Sequence, residues 1–365
     1  MPAAMPDAAP NPAHLSRALE LIAEHGWNAT CYQILNPGFE LWFSKTGDAV
    51  VGFVEQFGIR VVGGVPVCSE DRLLDVVDEF ESEGGRICYF AAEGRLVDLL
   101  HHAGSGHTPM VIGGQPAWDP LDWPRMLEEH ASLRAQLNRA RNKNVRVEEW
   151  PAERAETDPS LRRCLEDWLH TRGLPPLHFL IESDTLSRLF DRRVFVALRE
   201  DEVVGFLVAS PIPARGGWLI EQLVRGPGAV NGSTELMLDA AMLALAAAGD
   251  QFVTLGLAPL SPLTAKANVD HPAWLRMLLL WMRAHGNRFY NFEGLEAYKA
   301  KFRPQDWEPV FAIVNEPRIR FSMLYAITAA FAGGPPPVLL LRAVGHAVGL
   351  EAERALRRVR DIAGR

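Results

Sequence analysis

The chain has 365 residues, of which 48% are hydrophobic and 22% charged, and its formal net charge is -8. That length suits two domains, and that composition suits a globular protein with sizeable cores. The acidic balance excludes nucleic-acid binding driven by overall charge, so contact with RNA requires a local basic patch.

Met1 to Pro12 is rich in alanine and proline and has neither a basic n-region nor an apolar h-region. It reads as a disordered leader rather than a signal peptide. From His14 to Gly26 the apolar positions recur at helical spacing, with Gly26 as C-cap. VVGFVEQ and IRVVGGVPV read as two strands joined through Gly58. Ser69 then caps a helix through Phe80, closed by Gly84-Gly85. Ile87–Ala92 is a short buried strand, Arg95–His102 a helix and Pro109–Gly114 another strand. After a stretch punctuated by proline and tryptophan, the pattern predicts one long basic helix, Leu127 to Asn144. Pro151 and Pro159 bracket a junction between halves.

The second half repeats the order. Leu161–Arg172 is helical, VFVALRE and VVGFLVASPI form a hairpin around Asp201, and Gly217–Val224 is a strand. A Gly-rich loop runs from Arg225 to Gly232, Ser233–Ala248 has the composition of a strong helix, and FVTLGLAPL is the next strand. Mixed sheets flanked by helices belong to the α/β (α+β) class, and two similar halves point to a duplicated fold. The four cysteines (Cys31, Cys68, Cys88, Cys164) show no metal-ligand spacing and read as small buried residues in a reducing compartment.

The sharpest local feature is the strand, Gly-rich loop, helix and strand from Trp218 to Ser261. A glycine turn feeding a helix N-terminus presents free amides and a positive dipole end, which suit a phosphate or an oxyanion. In acetyltransferases of the GNAT type such a loop holds the coenzyme A pyrophosphate through R/Q-x-x-G-x-G/A. Here Arg225 and Gly228 match, but Val230 stands where the last small residue belongs. A plain surface turn is the other reading of the same loop.

Several motifs in order carry a resemblance. They are E-x-x-V-R, N-G-S-T-E-L and T-L-G-L-A-P-L-S between Glu221 and Ser261, and FYNFEGLEAYKAKFRPQDWEPVF from Phe289 to Phe311. LRAQLNRARNKNVRVEEW, VVGGVPVC and IGGQPAWDP add to them. Together they resemble the C-terminal catalytic domain of the phosphatidylglycerol lysyltransferase (MprF-type) family of aminoacyl-phosphatidylglycerol synthases. The resemblance implies tandem GNAT-like (acyl-CoA N-acyltransferase-like) halves, with the chemistry in the second. It implies charged tRNA as donor, the hydroxyl of phosphatidylglycerol or a related lipid as acceptor, and no cofactor. Two departures stand out. The sequence carries no polytopic flippase ahead of the domain, and Asn144 stands where the family often has glycine.

Aminoacyl transfer requires positioning, oxyanion stabilisation and proton removal, and no metal or redox cofactor. Glu221, Lys299 and Arg303 are the candidate catalytic residues. Glu221 lies on a largely apolar strand, either as an amine anchor or base, or in a salt bridge with Arg225. If the helix around Glu296 carries on past Phe302, Lys299 and Arg303 share a face at i,i+4. These cations either hold a phosphate, a tRNA 3′ end or an oxyanion, or form a solvated face paired with Glu296. Arg225, Asn231, Glu235, Lys301 and His178 are the candidate substrate-binding residues. Asn231 serves equally as a helix cap, Glu235 as a first-turn acid and His178 as a structural histidine. Arg134, Arg139, Arg141 and Lys143 are candidates for contact with tRNA or an anionic membrane surface, or else belong to a bridging helix.

The expected organisation is a leader (1–13), a first GNAT-like half (14–126), a basic linking helix (127–150), a catalytic half (151–315) and a tail (316–365). Phe321 to Leu341 carries no charge but is interrupted by Gly333 to Pro337, so a single membrane span is not expected. An amphipathic basic segment, Glu351 to Ala363, follows, and the tail suits either packing on the domain or docking on a bilayer. The expected location is cytoplasmic, peripheral to the inner face of the cell membrane. The rival readings are the same chemistry on a small soluble acceptor, a coenzyme A-dependent acyltransferase, and a binding module without activity.

Overall fold

A computed structural model of the chain describes residues 11–171, 178–181, 184–264, 274, 277 and 292–335. Helix α1 (Pro12–His25) starts where the Asn11 side chain accepts from the Ala13 amide at 3.0 Å, with Pro12 in a turn that needs no amide donor. Strands β1 (Glu40–Phe43), β2 (Val50–Gln56) and β3 (Ile59–Gly63) form an antiparallel meander. Helix α2 (Leu73–Ser82) buries Leu73, Val76, Val77 and Phe80 and crosses to β4 (Arg86–Glu93), which runs parallel to β3. Helix α3 (Gly94–His102) leads to β5 (Thr108–Trp118).

The single basic helix expected from 127 to 144 is two helices, α4 (Trp123–Glu129) and α5 (Ala131–Arg141), broken at His130 (φ -115, ψ 81). The break lets Trp123 of α4 and Leu133, Leu137 and Ala140 of α5 reach one apolar cluster. Arg134 donates to the carbonyls of Leu127, at 2.6 Å, and Glu128 in the last turn of α4, where the Leu127 carbonyl also accepts from the His130 amide at 3.1 Å. Asn144 follows with φ 60, in the left-handed region that asparagine tolerates best after glycine, so its departure from the family's glycine costs little backbone energy.

After β6 (Val145–Trp150) come the short α6 (Ala152–Thr157) and α7 (Pro159–His170). Asp158 caps α7 at the Ser160 amide, 2.8 Å, with Pro159 at its first position. A second meander, β7 (Arg193–Arg199), β8 (Glu202–Ile212) and β9 (Gly217–Arg225), feeds α8 (Ser233–Ala248). Helix α8 crosses to β10 (Phe252–Thr254), parallel to β9. Thus β2-β3-α2-β4 and β8-β9-α8-β10 are one unit used twice: an antiparallel pair, a crossover helix and a parallel strand. The fold is a tandem GNAT-like α/β architecture. Helix α8 is apolar on nearly every side because it lies between the sheet and the α4–α5 pair.

The described strands, with β11 (Ala258–Pro259) and β12 (Asp306–Val314), join in one twelve-stranded sheet, ordered β1-β2-β3-β4-β12-β5-β10-β9-β8-β7-β6, and β11 pairs with β5 off that path. The units meet where β5 pairs antiparallel with β10. FVTLGLAPL, expected as one strand, is split: β10 ends at Thr254, and β11 (Ala258–Pro259) turns away to pair with β5. Gly256, at φ 67, makes that bend. Helix α9 (Phe292–Ala300) precedes β12 (Asp306–Val314), and α10 (Phe321–Ala332) ends at Gly333, φ 62. Strand β12 inserts between β4 and β5, so the segment 306–314, grouped by sequence with the second half, lies within the sheet of the first. The segment Glu351 to Ala363, expected to be amphipathic, lies outside the described residues.

A buried ionic cluster clamps the same seam. Arg215 donates to Glu93 at 3.2 Å and to Glu308 at 2.5 and 2.9 Å, while Gln115 donates to Glu93 at 3.1 Å and to Glu308 at 2.8 Å. Burial pushes the Glu93 carboxyl above its usual range, and the Arg215 guanidinium works against that shift.

Candidate active site

Strand β9 departs from regular pairing at one residue. Val208 and Ala209 of β8 face Gln222 and Ile220, which leaves Glu221 as the extra residue of a β-bulge. The bulge aims a carboxylate into the join between the halves. Arg192, just before β7, meets it with two bonds: Nε donates to Oε2 at 2.7 Å and Nη2 to Oε1 at 3.3 Å. The two side chains are 3% and 6% exposed, so the pair is nearly dry and its geometry is fixed. Arg192 also donates to the Arg188 carbonyl at 3.1 Å and lies 5.5 Å from the centre of the Tyr32 ring. The Thr185 hydroxyl donates to Gln222, the neighbour of Glu221.

These groups border a small cleft, closed on the other side by Leu35, Asn36 and Pro37 of the first half. Asn36 donates to the Phe179 carbonyl at 2.8 Å, and Arg188 to the Leu35 carbonyl at 3.2 Å, so both halves hold the rim. A clamped carboxylate keeps lone pairs for an incoming amine or hydroxyl, and Arg188 and Arg192 supply positive charge beside it. Arg192 does what the sequence offered to Arg225. No local pattern singles out Arg192, Arg188, Thr185 or Asn36, because with Glu221 they meet from three separate segments, 35–37, 185–192 and β9.

The Gly-rich loop is differently furnished. Arg225 and Asn231 are exposed; Arg225 donates to the Ala229 carbonyl at 3.2 Å and to Asn231 at 3.4 Å. The cap of α8 is Gly232 (φ 97), which has no side chain to bond, so Asn231 does not cap the helix. A Cβ on Gly232 would stand 2.1 Å from the Gln136 carbonyl of α5, which shows how closely that helix covers the loop. At the first turn of α8 the buried Glu235 accepts from Lys301 and, at 2.9 Å, from Thr234. Desolvation raises the Glu235 pKa, but the Lys301 ammonium outweighs it and holds the carboxyl below its usual range. The positive end of the α8 dipole therefore already faces an anion, and a pyrophosphate there would meet the charge of Glu235.

Lys299 and Arg303 do not share a helix face. Helix α9 stops at Ala300, and Arg303 sits beyond it, exposed, at φ 51. Lys299 is 6% exposed and turns inward. Its ammonium donates to the carbonyls of Leu255, Gly256 and Leu257 at 2.7, 2.8 and 2.8 Å, the three residues at which the strand breaks away from β9. Burial pulls its pKa down to about 7. With all three donors used, Lys299 fixes the divergence of the strands that flank the site.

The cations of α5 and of the turn after it divide. Arg134 caps α4, and Arg141 pairs with buried Asp239 at 2.7 Å. Arg139 and Lys143 are exposed, without an ion pair among the described residues. The backbone amide of His178 donates to the Phe331 carbonyl of α10 at 3.0 Å, and its ring packs against Gly333. All four cysteines are buried and unpaired, and burial pushes their thiols up to about 12 (Cys31, Cys68, Cys88) or about 11 (Cys164), which removes them as nucleophiles.

Residues 19–314 match the sequence model of the family described as phosphatidylglycerol lysyltransferase, C-terminal. A phosphatidylglycerol lysyltransferase of Staphylococcus haemolyticus (strain JCSC1435) is 22% identical over 317 residues, 85% of this chain. The chain spans 37% of that relative's length. Among solved structures, the C-terminal domain of a putative lysylphosphatidylglycerol synthetase from Agrobacterium fabrum aligns with a TM-score of 0.74 and 22% identity, covering 88% of this chain and 98% of that one. The structure of L-PGS from Bacillus licheniformis aligns with a TM-score of 0.71 and 20% identity, covering 88% and 96%.

Proposed function

The chain belongs to the phosphatidylglycerol lysyltransferase C-terminal family, and from that premise we propose that it moves an aminoacyl group from charged tRNA to the hydroxyl of phosphatidylglycerol at the cytoplasmic membrane face. The observation that carries the reading is the Glu221 carboxylate, set on a bulge and clamped by Arg192 at the mouth of a cleft shared by both halves. In this reading the carboxylate receives the α-amino group of the aminoacyl ester, which orients its carbonyl. The acceptor oxygen attacks the carbonyl carbon, the bond to the tRNA ribose oxygen breaks, and the acceptor's proton passes to that ribose oxygen. Positive charge on Arg188 and the strand divergence held by Lys299 shape the space in which the tetrahedral oxyanion forms.

Arg139 on α5 and Lys143 in the turn after it offer exposed cations to the tRNA backbone, and Arg303 and Arg225 offer others. The Glu235 carboxylate in the first turn of α8, held ionised by Lys301, supports an aminoacyl-tRNA donor over coenzyme A, because it sets an anion at the helix end where a pyrophosphate would come. The test is incubation with tRNA charged with a labelled amino acid and phosphatidylglycerol vesicles. Label is expected in the lipid. Label left on tRNA, with acetyl-coenzyme A consumed in a parallel reaction, overturns the proposal.

A further inference from the structure

We propose that α10 and the tip of the β2–β3 hairpin form a docking face that sits on an anionic phospholipid bilayer; this deepens the lipid-acceptor reading and rests on it. The family match ends at residue 314, ahead of α10.

Helix α10, FSMLYAITAAFA, contains no charged residue. Its inner side buries Met323, Ala326, Ala329 and Ala330, with Met323, Ala326 and Ala330 packed onto the β2–β3 core. A soluble surface helix places charge on the opposite side. Here that side presents Phe321, 68% exposed, and Tyr325, 40% exposed. Thr328 is exposed too, but its hydroxyl donates to the Leu324 carbonyl at 2.8 Å and so gives up little on leaving water.

The neighbouring hairpin turns at Phe57-Gly58, and Phe57 is 59% exposed at φ 55. An aromatic residue in the left-handed region is strained, and glycine, asparagine or aspartate would relieve that strain. The Phe57 ring lies 5.0 Å from that of Tyr325, so the two elements make one continuous aromatic surface.

Three observations select a bilayer as the occupant. The exposed Arg318 and Arg320 directly precede α10 and suit anionic headgroups, with Arg320 also reaching Glu316 at 3.5 Å and Glu55 the acid on the hairpin. Twelve residues of helix reach about 18 Å, too short to cross a hydrocarbon core of about 30 Å but suited to lying along its surface. Last, the face is continuous with the cleft: Phe331 at the end of α10 accepts from the His178 amide, and the adjacent Phe179 carbonyl accepts from Asn36 on the cleft rim.

The test compares the full-length chain with a Phe57→Asn/Phe321→Ser/Tyr325→Ser variant by co-sedimentation with vesicles of phosphatidylglycerol and phosphatidylcholine. Phe57→Asn alone is a control that fits the turn, and thermal unfolding checks that each variant is folded. The expected result is at least a tenfold weaker partition for the triple variant, about threefold for Phe57→Asn, and weaker binding of the wild type as phosphatidylglycerol is diluted. Equal partition of wild type and triple variant overturns the proposal. So does a wild type that ignores vesicles, whether it forms a dimer that the triple variant dissociates (a second copy covers the face) or stays monomeric (residues 336–365 cover it). Transfer from charged tRNA to detergent-dispersed phosphatidylglycerol is measured alongside. Its absence with intact vesicle docking refutes the assigned chemistry alone, and its presence with vesicle binding unaffected by the substitutions refutes the docking face alone.

Discussion

Replacing Lys299 with methionine keeps most of the side chain's length and removes its charge and its three donors. The substitution leaves the carbonyls of Leu255, Gly256 and Leu257 without this donor, at about 1–3 kcal/mol for an unmet buried group, while it relieves the burial of an ammonium whose pKa is pulled down to about 7. Lys299→Met is therefore expected to destabilise the fold by about 2 kcal/mol at pH 7. The pH dependence is the sharper check. Because the folded pKa is depressed, the unfolded chain binds more protons between pH 7 and 10.5, so the stability supplied by Lys299 is lost as pH falls towards 7 and grows above it. Between pH 7 and 9 the gap between wild type and variant should widen by about 2 kcal/mol. Urea unfolding followed by tryptophan fluorescence at both pH values measures it. A gap that is flat or narrows with pH would refute the assignment of a buried, desolvated ammonium at this position.

Glu221→Gln leaves Arg192 charged and nearly dry, so it should cost about 3 kcal/mol of stability and lower kcat for transfer at least a hundredfold. The double variant Glu221→Leu/Arg192→Met should regain the stability, read from the unfolding midpoint, without regaining turnover. Arg139→Glu and Lys143→Glu together should weaken tRNA binding and flatten its dependence on salt, with the melting temperature within about a degree of wild type, since neither side chain holds structure. Gly232→Ala combines a left-handed backbone with a backbone clash against α5, and calorimetry should find about 3 kcal/mol lost.

Local patterns made most elements legible. The alanine- and leucine-rich run from Ser233 to Ala248 is a helix over that whole span, and the hairpin around Asp201 forms where alternation predicts it. Misreadings arose where a distant residue decides local structure. Gly256 is the one local mark of a break in FVTLGLAPL, and a lone glycine in an apolar run does not fix its place; the break is held by the ammonium of Lys299, more than forty residues away. The split of the basic helix at His130 likewise follows from what Trp123 and Leu133 must reach, with no proline or glycine to mark it. In the site, Glu221 stood out as a lone acid in an apolar strand. Its partner Arg192 did not, because a two-residue bond across the sheet leaves no trace in spacing.

The position of that site explains why the two halves are built as one body. The cleft takes its rim from Leu35 to Pro37 in one half and its carboxylate from β9 in the other, so its width is set by how the halves join. Three features fix that join: β5 pairing with β10, β12 returning from the end of the second unit to lie between β4 and β5, and Arg215 bridging Glu93 and Glu308. A chain cut between the units would leave β4 and β5 without the strand that separates them, with two rows of unmet hydrogen bonds in the first half. It would also strand the Glu93 carboxylate, buried and without its arginine. The duplicated unit supplies the scaffold, but the rim of the cleft exists only where one copy is completed by residues that follow the other.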